Sequence, residues 1–261
     1  MEEEPNFEYV PVDASPASKA RVRTGDRLYE SMMLLSEGLE TGAVTLQFDQ
    51  LYRKKAGEAM TISKHPENIS KNRYRDIMPY DSTRVVLRDS PHGDYINASF
   101  VNMEIPSSAI INRYIATQGP LSNTCNDFWL MIWEQKSSLV VSATPLVERG
   151  RIKCAKYWPD LRQEMQVGSD LTVSCLREAD SPSMIEREFK LAKTTDPFET
   201  RYITHIQYVA WPDHGVPEDS SDFLVLVNKV RHMRIGSVDP VVVHCRSVSP
   251  LLPRLTPAPC L

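Results

Sequence analysis

Three consecutive valines, Val241-Val242-Val243, run directly into His244-Cys245 and constrain the fold more than any other stretch of the chain. A β-branched run of this length prefers the pleated conformation and is too short for a helix, so it predicts a buried strand. Cys245 then emerges at the carboxyl end of that strand, the edge where open α/β sheets bind ligands. A thiol there is a competent nucleophile only if its pKa is lowered, usually by a ring of loop amides followed by a helix N-terminus. The sequence that follows supplies these poorly: residues 246–261 contain no glycine and carry Pro250, Pro253, Pro257 and Pro259.

The remainder reads as an α/β domain. At 261 residues the chain is long enough for one sizeable core. Its net charge of −4, from 30 basic and 34 acidic residues, gives no whole-chain attraction to nucleic acid or anionic lipid. The apolar runs are all shorter than the ~18 residues of a membrane span, and the acidic start Met1-Glu2-Glu3-Glu4 is unlike a secretory signal. Five cysteines without metal-type spacing read as reduced thiols.

Residues 1–25 predict a flexible leader, 26–245 the folded body and 246–261 a separate proline-rich tail. Leu28, Met32, Leu35 and Leu39 recur at helical spacing up to Gly42, and a second helix is expected over Val44–Lys55; both stripes read as core packing. Strands are expected over Thr83–Leu87, Asp94–Val101, Tyr114–Pro120 and Leu139–Ala143, with weaker ones at 171–176 and 185–191 and an alternating segment at Tyr202–Trp211. Helices are expected over Asn123–Gln135, with Thr124 as N-cap, and Asp222–Met233. This order of elements points to a twisted mixed sheet flanked by helices.

Several polar residues invite chemistry. A thiolate attacking a phosphoryl group needs donors for the equatorial oxygens and an acid for the leaving oxygen. Asp213, in Trp211-Pro212-Asp213-His214-Gly215-Val216-Pro217, is the acid candidate, on a loop bracketed by prolines and glycine that would close as a lid. Tyr74 would stack on an aryl ring and Asp76 accept from peptide N–H groups. Each has a plainer reading: Asp213 in a tight surface turn, Tyr74 as a half-buried packing residue, and Glu148, Arg149, Arg151 and Lys153 as a solvated charge run.

Taken in order, the motifs Lys71-Asn72-Arg73-Tyr74-Arg75-Asp76, Asp94-Tyr95-Ile96-Asn97-Ala98-Ser99, Tyr114 to Pro120, Phe128-Trp129 with Trp133-Glu134, Lys153-Cys154 with Tyr157-Trp158-Pro159, Trp211 to Pro217 and Val243-His244-Cys245 resemble the catalytic domain of the cytosolic protein-tyrosine phosphatases. The stretches Phe48 to Lys55 and Val101 to Pro106 are most similar to the subgroup with FERM and PDZ modules upstream. The resemblance implies phosphotyrosine hydrolysis through a cysteinyl-phosphate, without metal or cofactor, on phosphotyrosine-containing proteins. It implies Cys245 as nucleophile, His244 as its helper and Asp213 as general acid. Tyr74, Arg75 and Asp76 would bind substrate, with Glu148, Lys153 and Trp211 supporting the phosphate loop and lid. It places the protein in the cytoplasm, at the membrane–cytoskeleton face where forms carrying the upstream modules would sit.

The likeness stops at Cys245. The family places an arginine six residues after its cysteine, and here that position is Leu251; Arg246 and Arg254 fall one and nine residues after. Val248 stands at a family glycine, and Pro250 has no N–H to donate. Removing one oxyanion-type donor typically costs ~10²–10³ in rate, so negligible turnover is expected. The family also continues with further helices, whose loss would bare one sheet face. The change of sequence after Cys245 reads as an alternative exon, a frameshift or an error of gene prediction. The alternatives to an enzyme are a noncatalytic phosphotyrosine-peptide module and an unstable truncated product.

Overall fold

The computed structural model describes residues 24–49, 57–105, 110–148, 150–196, 198–211 and 220–246. The chain divides into two units, residues 1–53 and 54–261. In the first, α1 (Thr24–Glu40) and α2 (Ala43–Asp49) are separated by Gly42 at φ 74°, the left-handed conformation in which glycine ends a helix without steric cost. The expected inward stripe is not buried: Met32, Leu35 and Leu39 are exposed, because a helical period sorts residues onto one face without supplying a partner for it. The expected continuation of α2 to Lys55 lies outside the described residues.

The second unit is built on a nine-stranded sheet. Its strands are β1 (Arg84–Val86), β2 (Tyr95–Ile105), β3 (Ile110–Gln118), β4 (Leu139–Ser142), β7 (Glu164–Val167), β8 (Leu171–Asp180), β9 (Met184–Lys193), β10 (Thr200–Tyr208) and β11 (Val241–Cys245). A separate hairpin pairs β5 (Val147–Glu148) with β6 (Arg151–Ile152). The helices of this unit are α3 (Pro66–Ile69), α4 (Cys125–Glu134) and α5 (Ser221–Met233). The strand order is β1-β2-β3-β11-β4-β10-β9-β8-β7. Pairing is parallel from β3 through β11 and β4 to β10, and antiparallel toward both edges. The α/β fold with a mixed sheet read from the sequence is therefore borne out.

The valine run sits at the centre of that sheet. Val242 pairs with Ile115 on one side and Val140 on the other, and both Val241 and Val242 are buried. Burial of each valine side chain stabilises the fold by about 1.5–3 kcal/mol. Alternation divides the run between two cores. Val242 joins Ile115, Val140, Phe189 and Ile203 beneath Phe128, Trp129 and Ile132 of α4. Val241 joins Tyr114, Val141, Ile206 and Tyr208 beneath Leu226 and Val230 of α5. The second face is thus covered by α5 along these strands. Apolar exposure lies instead on the outer side of α5, at Leu224 and Val225, and beyond it at Ile235 and Val238.

Three local differences from the sequence reading have physical causes. The two weak strands are ten-residue strands, β8 and β9, whose outer halves are charged on both sides. There Arg177 faces Glu188 and Glu178 faces Arg187, so cross-strand ion pairs replace the apolar alternation that reveals a strand. Strand β7 was not expected; it forms a hairpin with β8. Thr124 occupies the N-cap position of α4, but its hydroxyl accepts from the Leu121 N–H at 2.9 Å, closing the preceding turn instead of capping the helix.

Candidate active site

The parallel register brings the end of β11 beside the end of β3. Cys245 pairs with Gln118, and the next amide, Gly119, donates to the Cys245 carbonyl at 2.6 Å. No side chain fits at Gly119: a Cβ would lie 2.8 Å from the Cys245 oxygen and 3.2 Å from Cys154 Sγ. On the other flank, the Ala143 N–H donates to the His244 carbonyl at 2.8 Å. The backbone that carries Cys245 is therefore fixed from both sides, and the thiol itself is half-buried.

His244 follows Val242 onto the α4 face and is fully buried. The Tyr157 hydroxyl lies 2.7 Å from His244 Nε2 and 2.7 Å from Nε2 of His205, a buried residue of β10. Burial pushes His244 down to about 4, opposed in part by a contact with the Cys245 backbone. Burial, the neighbouring His244 and the charge of Arg187 hold His205 well below the ordinary histidine range. Both rings are neutral near neutral pH. A hydroxyl donates one hydrogen bond, so one imidazole accepts from Tyr157 and the other donates to it. Both buried Nδ1 atoms have no hydrogen-bond partner among the described residues, so the imidazole that accepts from Tyr157 carries its proton on an unpartnered Nδ1, while the one that donates through Nε2 leaves its Nδ1 a bare lone pair.

The polar loop read from 71 to 76 is tied to the same strand ends. Gln118 clamps it twice, donating to the Lys71 carbonyl at 2.7 Å and accepting from the Arg73 N–H at 2.9 Å. The Asn72 side-chain oxygen accepts from the Tyr95 hydroxyl at 2.5 Å and from Asn97 at 2.9 Å. Arg73 donates through Nη2 to the carbonyls of Gly119 at 2.9 Å and Pro120 at 3.2 Å. These bonds leave Tyr74 half-buried at the sheet edge, with Arg75 and Asp76 exposed beside it. The Arg246 guanidinium lies over the Tyr74 ring, 5.3 Å from its centroid, so the loop and the residue after Cys245 meet.

The family profile for protein-tyrosine phosphatase matches residues 68–247. The chain belongs to the protein-tyrosine phosphatase family. It is 55% identical over 246 residues to the human tyrosine-protein phosphatase non-receptor type 4, a match covering 94% of this chain and 26% of the relative. It is 48% identical over 243 residues to tyrosine-protein phosphatase 1 of Caenorhabditis elegans, covering 93% of this chain and 23% of that protein. A more distant relative, the human non-receptor type 13 phosphatase, is 36% identical over 223 residues, covering 85% of this chain and 9% of the relative. The chain thus spans about a quarter or less of the length of these relatives.

In this phosphatase-family chain the other site residues fall into three groups. Glu148, next to the turn of the β5–β6 hairpin, and Lys153, just after β6, form a partly buried ion pair. Trp211 stands edge-on to Tyr208 and to Phe223 of α5, and is partly exposed. Asp213, with the rest of 212–219, lies outside the described residues, as do Arg149 and the tail from Ser247. Among the other thiols, burial pushes Cys125 up to about 11 and Cys154 up to about 12, which leaves both unreactive at neutral pH. Sequence reasoning did not single out Arg73, His205 or Tyr157 as parts of the site. His205 carried a usable signal, a polar residue at an inward-facing position of an alternating strand.

Proposed function

We propose that this chain is a phosphatase-family domain that recognises phosphotyrosine in peptides and hydrolyses it negligibly. Cys245 takes the position of the nucleophile, with neutral His244 orienting its backbone. Asp213 is the general acid. Tyr74 sets the depth of the cleft, Asp76 anchors the peptide backbone and Arg75 contacts flanking residues. Glu148, Lys153 and Trp211 support the loop and lid. The observation that carries the reading is the meeting of Tyr74 with the end of β11, while the position six residues after Cys245 is Leu251 and Pro250 has no amide proton. An arginine shifted from that position does not hold the phosphoryl group in line with Cys245 inside a ring of loop amides, so the barrier to phosphoryl transfer stays high.

The partners on this reading are phosphotyrosine-containing proteins of the cytoplasm, including those at the membrane–cytoskeleton face. The designation of the relatives as non-receptor phosphatases supports that placement. The body of the domain is residues 26–245, preceded by a leader at 1–25, and residues 246–261 are a separate tail. Hydrolysis of p-nitrophenyl phosphate tests the proposal, measured beside Cys245→Ser and a chimera carrying the family sequence after Cys245. Activity in the chimera alone is expected; turnover in the native chain that Cys245→Ser abolishes would overturn the claim of negligible hydrolysis.

A further inference from the structure

Two guanidiniums converge at the end of β11. Arg246 lies over the Tyr74 ring, 5.3 Å from its centroid, and Arg73, adjacent to Tyr74 in sequence, is hydrogen-bonded to the Gly119 and Pro120 carbonyls. Gly119 is in turn bonded to the Cys245 carbonyl, so these residues belong to one corner of the sheet. The Nε atoms of both arginines are buried and have no hydrogen-bond partner among the described residues. Burial and the charge of Arg246 both lower the pKa of Arg73, opposed by Cys154 and Tyr74, and no carboxylate is among the groups acting on it. Two like charges held together with orphaned donors are costly, and a dianion that accepts from both would relieve repulsion and desolvation together.

We propose that Arg246 and Arg73 form an oxyanion-binding pair beside Cys245 that takes the phosphoryl group of a phosphate monoester. The Tyr74 ring holds the Arg246 guanidinium at the strand end, where its fork would make a bidentate contact with the anion. Arg73 is fixed through Nη2 and presents Nε. The pair reaches the anion from the strand end and the 71–76 loop, not from a loop that encircles it. It therefore supplies affinity for phosphate without the ring of amides needed to stabilise a transition state. The proposal rests on the cleft being a phosphotyrosine site and names what holds the phosphate there.

The test is titration of inorganic phosphate, then of a phosphotyrosine peptide, into the 261-residue chain by calorimetry, with Arg246→Ala and Arg246→Lys alongside. Saturable phosphate binding is expected, weakened about tenfold or more by Arg246→Ala, with Arg246→Lys intermediate because it keeps the charge and loses the fork. Should Arg246→Ala fail to unfold cooperatively, Arg246→Lys and Arg73→Lys carry the comparison. Equal phosphate affinity in the native chain and in a folded Arg246→Ala would overturn the proposal. So would tighter peptide binding by Arg246→Ala, which would make Arg246 an occupant of the aryl slot. Arg246-dependent phosphate binding with no peptide binding would uphold the arginine pair and sink the peptide reading alone.

Discussion

Replacing Tyr157 with phenylalanine removes one oxygen from a fully buried polar cluster. The hydroxyl lies 2.7 Å from Nε2 of His205 and 2.7 Å from Nε2 of His244, and all three residues are fully buried. The phenyl ring of the variant keeps the packing against Phe128 and Trp158, each 4.7 Å away between ring centroids. The loss is thus confined to hydrogen bonding. An unsatisfied buried polar group costs about 1–3 kcal/mol, and without the hydroxyl both Nε2 atoms lose their partner while each neutral ring still carries one buried N–H. We expect a loss of about 2–4 kcal/mol, a large share of the 5–15 kcal/mol typical of a domain. Urea denaturation at pH 7.5 measures it, with Tyr157→Phe, His205→Phe and the double variant forming a cycle. The single losses should not add, because each variant breaks the same bridge. A loss below ~0.5 kcal/mol for Tyr157→Phe, or full additivity in the cycle, would refute the account of the cluster.

Two further perturbations follow from the same corner. The buried neutral histidines bind protons less readily in the folded state than in the unfolded one, so stability is full above about pH 6.5 and falls as the pH drops toward 4. For His244 alone the displacement from 6.5 to about 4 corresponds to about 3 kcal/mol, with His205 acting in the same direction. Urea midpoints that are flat between pH 6.5 and 5, above the ordinary carboxylate range, would contradict this. Gly119→Ala places a Cβ 2.8 Å from the Cys245 carbonyl oxygen, a backbone atom that cannot swing aside. It should destabilise the domain by about 1–3 kcal/mol, and an unchanged melting temperature would show that the strand end yields more easily than its bonding implies.

Much of this architecture was written locally in the chain. The three valines announced the central strand because a strand buried on both faces must be apolar at consecutive positions. Phe128, Trp129, Ile132 and Trp133 announced α4 because a helix covering a sheet repeats its apolar positions every three or four residues. The outer halves of β8 and β9 were harder to read, since strands held by facing ion pairs carry no apolar alternation. The site divided the same way. Cys245, His244 and Tyr74 stood in recognisable motifs, and the structure brings them to one sheet edge. Arg73 and His205 gained their roles only through partners 46 and 48 positions away, at Gly119 and Tyr157, pairings that no local pattern encodes. Arg246 became a neighbour of Tyr74 only once β11 was placed beside β3. Asp213 stays a sequence assignment.

The most direct test of a cleft that binds phosphotyrosine without turning it over is a single sample carrying two readouts. Fluorescence anisotropy of a labelled phosphotyrosine peptide reports binding to the chain, and release of inorganic phosphate from the same sample reports hydrolysis. Saturable binding that Asp76→Ala weakens, that the unphosphorylated peptide does not show, and that proceeds without phosphate release is the predicted result. Phosphate release that depends on Cys245, or no binding at any attainable concentration of a cooperatively folded chain, would contradict it.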